Sequence, residues 1–317
     1  PESKIVGIRT VYRQRGHRMK VIKSQAVTDT TLTATDVPEN DYAAWAVGTT
    51  YADGDRVIVT TPNIHTIYES EQGSNVGNDP TTDDGTWWTV VSSTNAWKMF
   101  NNVIQEQTIQ TDGIDVTLEQ AQVVTALSAV NVDCESIDVI MTDPIEGEIF
   151  NQNYPMISYS GITNWYDYFF LAIERKSDLV VIGLPPYANA SINVVFNGSG
   201  DVKVGALVLG TALTIGDSQY GASFGIIDYS TKEVDDQGRT TITEGTYSDE
   251  ADIDVVIETG RFAQVKKILT DLRNTPTVWV ASEEAEGTLI YGYYREFNVL
   301  YSGPQVSMCT LSIEGLT

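Results

Sequence analysis

The sequence predicts a mainly β protein: a β-sandwich or barrel body with one α-helix, plus a small inserted aromatic-rich β module. Three observations carry that expectation. Short β-branched or alternating runs recur between turn signals along most of the 317 residues. One stretch, Arg261–Asn274, instead places apolar residues at the three-and-four spacing of a helix face. Four of the six tryptophans, Trp45, Trp87, Trp88 and Trp97, crowd into a single Gly-, Asn- and Asp-rich segment. Hydrophobic residues make up 42% of the chain, enough to fill a core, which excludes a disordered chain.

Residues 1–41 read as basic strands joined to the main body. Ile5, Val6, Ile8 and Val11, then Val21, Ile22 and Val27, supply β-branched residues, and a Thr-rich run follows to Thr35. Asp36–Asp41 is a turn cluster and a boundary. Residues 42–101 form the module, with short strands at Arg56–Thr61 and His65–Ser70 between dense turns. So short a unit buries little aliphatic surface, and its core must lean on aromatic rings.

Residues 102–317 form the body. Ser136–Thr142 and Ser191–Asn197 alternate, as half-buried strands do, while Lys203–Leu213 is apolar at both parities and reads as buried on both faces. In the helix, Phe262, Val265, Ile268, Leu269 and Leu272 share one face, with Gly260 before it and Pro276 after it. Hairpin-like strands then close the sheet.

Charge narrows the partners. With 43 acidic and 19 basic side chains the net charge is -24, which repels nucleic acid and anionic membrane surfaces. No apolar run is long enough to span a bilayer, so neither nucleic-acid binding nor membrane insertion is expected. The basic side chains are unevenly placed: Lys4, Arg9, Arg13, Arg15, Arg18, Lys20 and Lys23 share the first segment with one acid, Glu2. That asymmetry fits an arm docking on an acidic neighbour, including another copy of the chain, and makes Arg13, Arg15 and Arg18 candidate assembly residues. A solvated strand pair explains the same charges; DNA contact fits least well. The Pro-Glu-Ser start is what removal of an initiator Met leaves, and no signal peptide is visible, so cytoplasmic synthesis is expected.

Bond-making chemistry finds little support. Gly221-Ala222-Ser223-Phe224-Gly225 matches a nucleophile elbow, but both histidines, His17 and His65, precede it, and no helical pattern follows. A Gly-rich strand accounts for it better. Cys134 and Cys309 lie in apolar runs and read as buried thiols, and two Cys and two His far apart have no zinc spacing. Asp79, Asp83 and Asp84 do not complete a calcium loop and read as turn residues. No catalytic residue, metal or cofactor is expected.

The module carries a recognisable order. Trp45, Gly48, Tyr51, Gly54-Asp55-Arg56-Val57, Ile67-Tyr68-Glu69-Ser70, Asn75, Gly77-Asn78, Pro80 and Trp87 together resemble chitin-binding carbohydrate-binding modules, in which a Y-x-x-G-D-x-V turn recurs. The resemblance covers less than a fifth of the chain. It implies glycan stacking on Trp45, Tyr68, Trp87 or Trp88, and alternation along a strand sends one of Trp87 and Trp88 into the core. Thr163–Phe170, Leu184–Phe196, Gly216–Arg239 and the closing Cys-x-Leu-x-Ile-Glu-Gly-Leu (Cys309–Leu316) are similar to tail proteins of tailed phages. That similarity implies a virion structural protein of the tail tip, baseplate or hub. Such a protein forms a multi-copy ring with other tail proteins and copies of itself. The alternatives are a receptor-binding tail protein that adsorbs host surface glycan through the module, and, against its absent catalytic set, a glycan-degrading enzyme.

Overall fold

The computed structural model describes residues 18–316 except positions 62, 159–161, 163, 171–173, 235, 283–286 and 302. Arg13, Arg15 and His17 lie outside the described residues. The chain opens with β1 (Arg18–Ser24) and β2 (Leu32–Thr35), then builds the module from β3 (Arg56–Val59), β4 (Thr66–Ser70) and β5 (Trp88–Ser93). The body resumes with β6 (Thr108–Thr111), β7 (Ile114–Glu119), β8 (Ala126–Asp133), β9 (Ser136–Asp143) and β10 (Gly147–Pro155). β11 (Ile157–Ser158) and β12 (Glu174–Arg175) pair around a short helix, α1 (Trp165–Phe170). β13 (Leu179–Ile182), β14 (Ser191–Asn197) and the long β15 (Asp201–Ser218) follow. Next come β16 (Ser223–Asp228), β17 (Thr231–Val234), β18 (Thr240–Thr243) and β19 (Tyr247–Glu258). Helix α2 (Phe262–Asp271), β20 (Thr277–Val280), β21 (Leu289–Leu300) and β22 (Val306–Gly315) complete the chain.

The body is a sandwich and a barrel that share a strand. One antiparallel sheet runs β13-β8-β15-β1-β20-β21-β22-β19-β16, with β6 also paired to β15. Because the end of β15 pairs with β19 (Asp217 with Val256), the strands from β15 through β19 close into a barrel. The second sheet, β10-β9-β14-β7-β2, packs on the β13–β8–β15 end. Its inward parities are Ile114, Val116 and Leu118 on β7, Ile137, Val139 and Met141 on β9, and Ile192, Val194 and Phe196 on β14. They meet Leu127 and Ala129 of β8 and Leu207 and Leu209 of β15.

β15 is buried on both faces, as its double-parity apolar run predicts. Leu207 and Leu209 face the sandwich core, while Ala206 and Val208 join a separate cluster with Ile22, Val278, Val280 and Tyr291. Glycine is required where other backbones cross it closely. A Cβ at Gly210 would overlap the Lys23 carbonyl of β1, and one at Gly216 would overlap the Val256 carbonyl of β19. These two contacts let one strand pass from sandwich to barrel.

α2 and its C-cap residue close the barrel core with Val265, Leu269 and Leu272, packed among Ile253, Val255, Trp279 and Leu311. Burying each contributes roughly 1.5–3 kcal/mol. The helix is shorter than the apolar spacing suggests. A 3-10 turn, Thr259–Arg261, precedes it, and Asn274 adopts a left-handed φ of 58° that ends it before Pro276. α1 has no counterpart in the sequence reading, because Trp165–Phe170 lacks one-face spacing.

The module's own three-stranded sheet, β3-β4-β5, ends at Ser93. Ala96, Trp97 and Met99, assigned to the module on composition, instead pack in the sandwich core beside Val37 and Val124. β1 and β2, from the N-terminal segment, pair with body strands.

Candidate functional site

The aromatic module is built on the turn that its motif marks. Gly54 takes a φ of +82°, a left-handed conformation that glycine reaches without steric cost, and its N–H donates to the Ser70 carbonyl at 2.8 Å. The Asp55 carboxylate accepts the Ala52 N–H at 2.7 Å and closes the turn. This delivers Tyr51 and Val57 to a small core, where the Tyr51 ring meets Trp88 edge-on with centroids 5.2 Å apart. Asn75, fully buried, exchanges backbone hydrogen bonds with Tyr51, and its side-chain amide donates to the Ser70 hydroxyl and the Trp87 carbonyl.

The loop before β5 is organised by carboxylates. Asp83 accepts the N–H groups of Gly85, Trp87 and Trp88, each at 3.0 Å. Burial opposes ionisation of Asp83, but these bonds, with Thr86, outweigh it and hold its carboxyl below the usual carboxylate range. Asp79 takes the N–H and hydroxyl of Thr81, and Asp84 takes those of Thr86. All three acids act as turn residues, and no group of three or more metal-ligating side chains is found among the described residues.

Of the four aromatic residues proposed to stack on sugar, the structure removes one. Trp88 is 2% exposed and its indole N–H donates to the Asn78 carbonyl at 3.0 Å, so it is the core member of the Trp87–Trp88 pair and has no ring face to offer. Trp45, Tyr68 and Trp87 pack on that core and stay partly exposed. The Trp45 indole N–H is enclosed with no acceptor. The Tyr68 hydroxyl is raised above its ordinary value by partial burial and then by the charge of Asp79. Ring faces beside a hydroxyl and a carboxylate are the chemistry that a pyranose takes, its C–H face on the ring and its hydroxyls on the polar groups.

The module meets the body at a junction that sequence spacing did not reveal. His65, at the turn before β4, lies between two carboxylates, with Nδ1 2.6 Å from Glu39 and Nε2 2.9 Å from Asp29. Its ring lies 4.6 Å from that of Trp97. Glu39 also accepts the hydroxyl of Thr94 at 2.6 Å. Asp29, Glu39, His65 and Trp97, with Thr33, Thr35 and Thr60, line an open cleft of about 550 Å3. These groups satisfy one another, which makes the cluster a latch between module and body.

Elsewhere, Arg18 is exposed at the start of β1, opposite Asp217 in the strand register. The G-x-S-x-G stretch lies at the turn into β16, with Ser223 as its first strand residue and a further strand, not a helix, after it. Cys134 and Cys309 are free and buried in the sandwich and barrel cores, where burial pushes their thiols up to about 12 and about 11. Large apolar side chains stand open on two projections: α1, and the arm formed by β16, β17, β18 and the start of β19.

No family model matches the chain, and no curated protein does. Among solved structures, a mutant of the lectin binding domain of lectinolysin, complexed with Lewis b, aligns at 11% identity over 37% of this chain and 83% of that one, with a TM-score of 0.26. At that score the likeness carries no argument about fold or ligand.

Proposed function

We propose that this chain is a structural component of a bacteriophage tail, in its tip, baseplate or hub, that assembles into a multi-copy ring through surface complementarity and makes no bonds. The observation that carries this reading is the open apolar surface of the two projections. Trp165 is 78% exposed, Phe170 72% and Ile226 65%. Soluble monomers seldom leave apolar patches of more than a few hundred Å2 to water, and larger ones mark interaction surfaces. The similarity of the Gly-rich and C-terminal segments to phage tail proteins supplies the setting. Electron microscopy of tailed particles labelled with an antibody to this chain tests it. The expected result is label at the tail; label absent from particles, or turnover of a substrate that depends on one side chain, overturns it.

A second reading, adsorption of host surface glycan, is favoured by Trp45, Tyr68 and Trp87, which stay partly exposed on the module core, with Asp79 near Tyr68. Pull-down on bacterial polysaccharides should show binding that Trp87→Ala abolishes. Binding that survives both Trp87→Ala and Trp45→Ala removes the module from the account.

A further inference from the structure

The arm presents a face built like core and left uncovered. Along β19, Ala251, Ile253, Val255 and Ile257 point into the barrel core. The same parity continues outward as Asp249 and Tyr247, whose register partners on β16 are Ile226 and Asp228, while Phe224 stands opposite Ala251. Residues directly opposed in an antiparallel pair share a face. Phe224, Ile226 and Tyr247 therefore extend the core-facing side past the end of the barrel, yet they are 42%, 65% and 54% exposed. Beyond them β16 is the last strand of its sheet path, and its sequence, Ser-Phe-Gly-Ile-Ile-Asp, has no proline or lysine to blunt the edge.

The second projection is a finger, the β11–β12 ladder with α1 at its tip. Its five aromatic side chains surround a single six-residue helix and are 58% to 78% exposed. They stack on one another, Trp165 on Phe169 with centroids 6.2 Å apart and Tyr166 on Phe170 at 4.7 Å. Finger and arm leave the body at one rim. Ser177 and Asp178, just after β12, line a recess of about 120 Å3 together with Tyr247 and Asp249 at the base of the arm.

From this the geometry points to a second copy of this chain as the occupant of both surfaces. The finger of one copy lies on the Phe224–Ile226–Tyr247 face of the other. Because both projections rise from the same rim, the contact is made in both directions across a two-fold axis, which pairs two copies and leaves closure of the ring to other surfaces. Aromatic side chains bury 150–250 Å2 each, so the five on the finger expose roughly 700 Å2, of which a contact on one side of the helix takes about half. With about 300 Å2 from Phe224, Ile226 and Tyr247, each copy contributes roughly 650 Å2, above the ~600 Å2 per partner at which specific interfaces begin. Lipid is a poorer occupant. It leaves the N–H and C=O groups of an open sheet edge unsatisfied, and it must also take up Asp167 from the middle of the helix.

The inference rests on the multi-copy reading above, and its test separates the two. One chain carrying Phe169→Cys and another carrying Ile226→Cys are mixed and oxidised at tens of micromolar; the native thiols are both buried. A disulfide-linked pair from the mixture is expected, together with at least a tenfold loss of self-association, read by light scattering, in the double variant Trp165→Ser, Phe169→Ser. Wild type that self-associates without forming the cross-link and keeps its affinity in the double variant overturns the finger-on-arm contact and leaves the multi-copy reading standing. Wild type that remains at 34.8 kDa and never enters a particle overturns both. Flotation with phosphatidylcholine vesicles that the double variant abolishes, with no self-association, assigns the finger to lipid and overturns the proposal.

Discussion

Two segments of this chain concentrate aromatic residues and use them in opposite ways. In the module, Tyr51 and Trp88 are enclosed, and the spaced glycines, Asp and Asn around them exist to deliver the rings to one point. In the finger, Trp165–Phe170 runs almost unbroken along a helix. Successive helical residues turn by about a third of a circle, so contiguous aromatics cannot share a face and must ring the helix. Spacing, more than composition, decides whether a ring becomes core or contact. The module's turn motif follows from this: Tyr51, Gly54, Asp55, Val57 and Asn75 serve folding, while Trp45, Tyr68 and Trp87 stay partly exposed.

The contrast can be broken from either side. The largest effect is expected for Trp88→Ala, which should cost about 3–5 kcal/mol of module stability. Hydrogen exchange should show β3–β5 opening while β7, β9 and β14 stay protected; equal loss in both regions means that the module has no core of its own. His65→Ala is next, at about 1–2 kcal/mol for one part-buried and one exposed hydrogen bond. It should free the module from the body without unfolding it, visible as faster exchange near Glu39 and Thr94 with unchanged far-UV circular dichroism.

Acid gives a subtler effect. A carboxyl whose folded value is depressed, as for Asp83, stabilises above its unfolded value of about 3.9 and ceases to do so as pH falls through the folded value. Amides of Gly85, Trp87 and Trp88 should therefore lose protection below about pH 4, and Asp83→Asn should remove that pH dependence. The smallest effect on stability belongs to the finger. Phe169→Ser should change the unfolding free energy by no more than about 0.5 kcal/mol, as exposed positions do. A large drop in melting temperature places that ring in a core.

Much of the body was legible because alternation and double-parity runs report directly on burial. Ile192, Val194 and Phe196 alternate inward, and the run from Lys203 to Leu213 is buried on both sides between Val204 and Gly210. What could not be read is which distant element supplies each partner. Gly210 meets Lys23 and Gly216 meets Val256, pairings that no local pattern encodes. The module's far boundary failed for a related reason: Trp97 was grouped with its neighbours by type, while its burial belongs to the sandwich. In the candidate site, the Trp87–Trp88 division followed from strand parity. The His65 latch did not, since Asp29 and Glu39 lie 36 and 26 residues upstream and no spacing rule links them.

A strand that belongs to two cores has a mechanical consequence. Neither lobe can melt or shear away while the other holds, since both grip the backbone of β15 on different stretches. Heat should find one cooperative transition across sandwich and barrel. A pull applied to the barrel arrives at the far sheet as tension along a single extended chain.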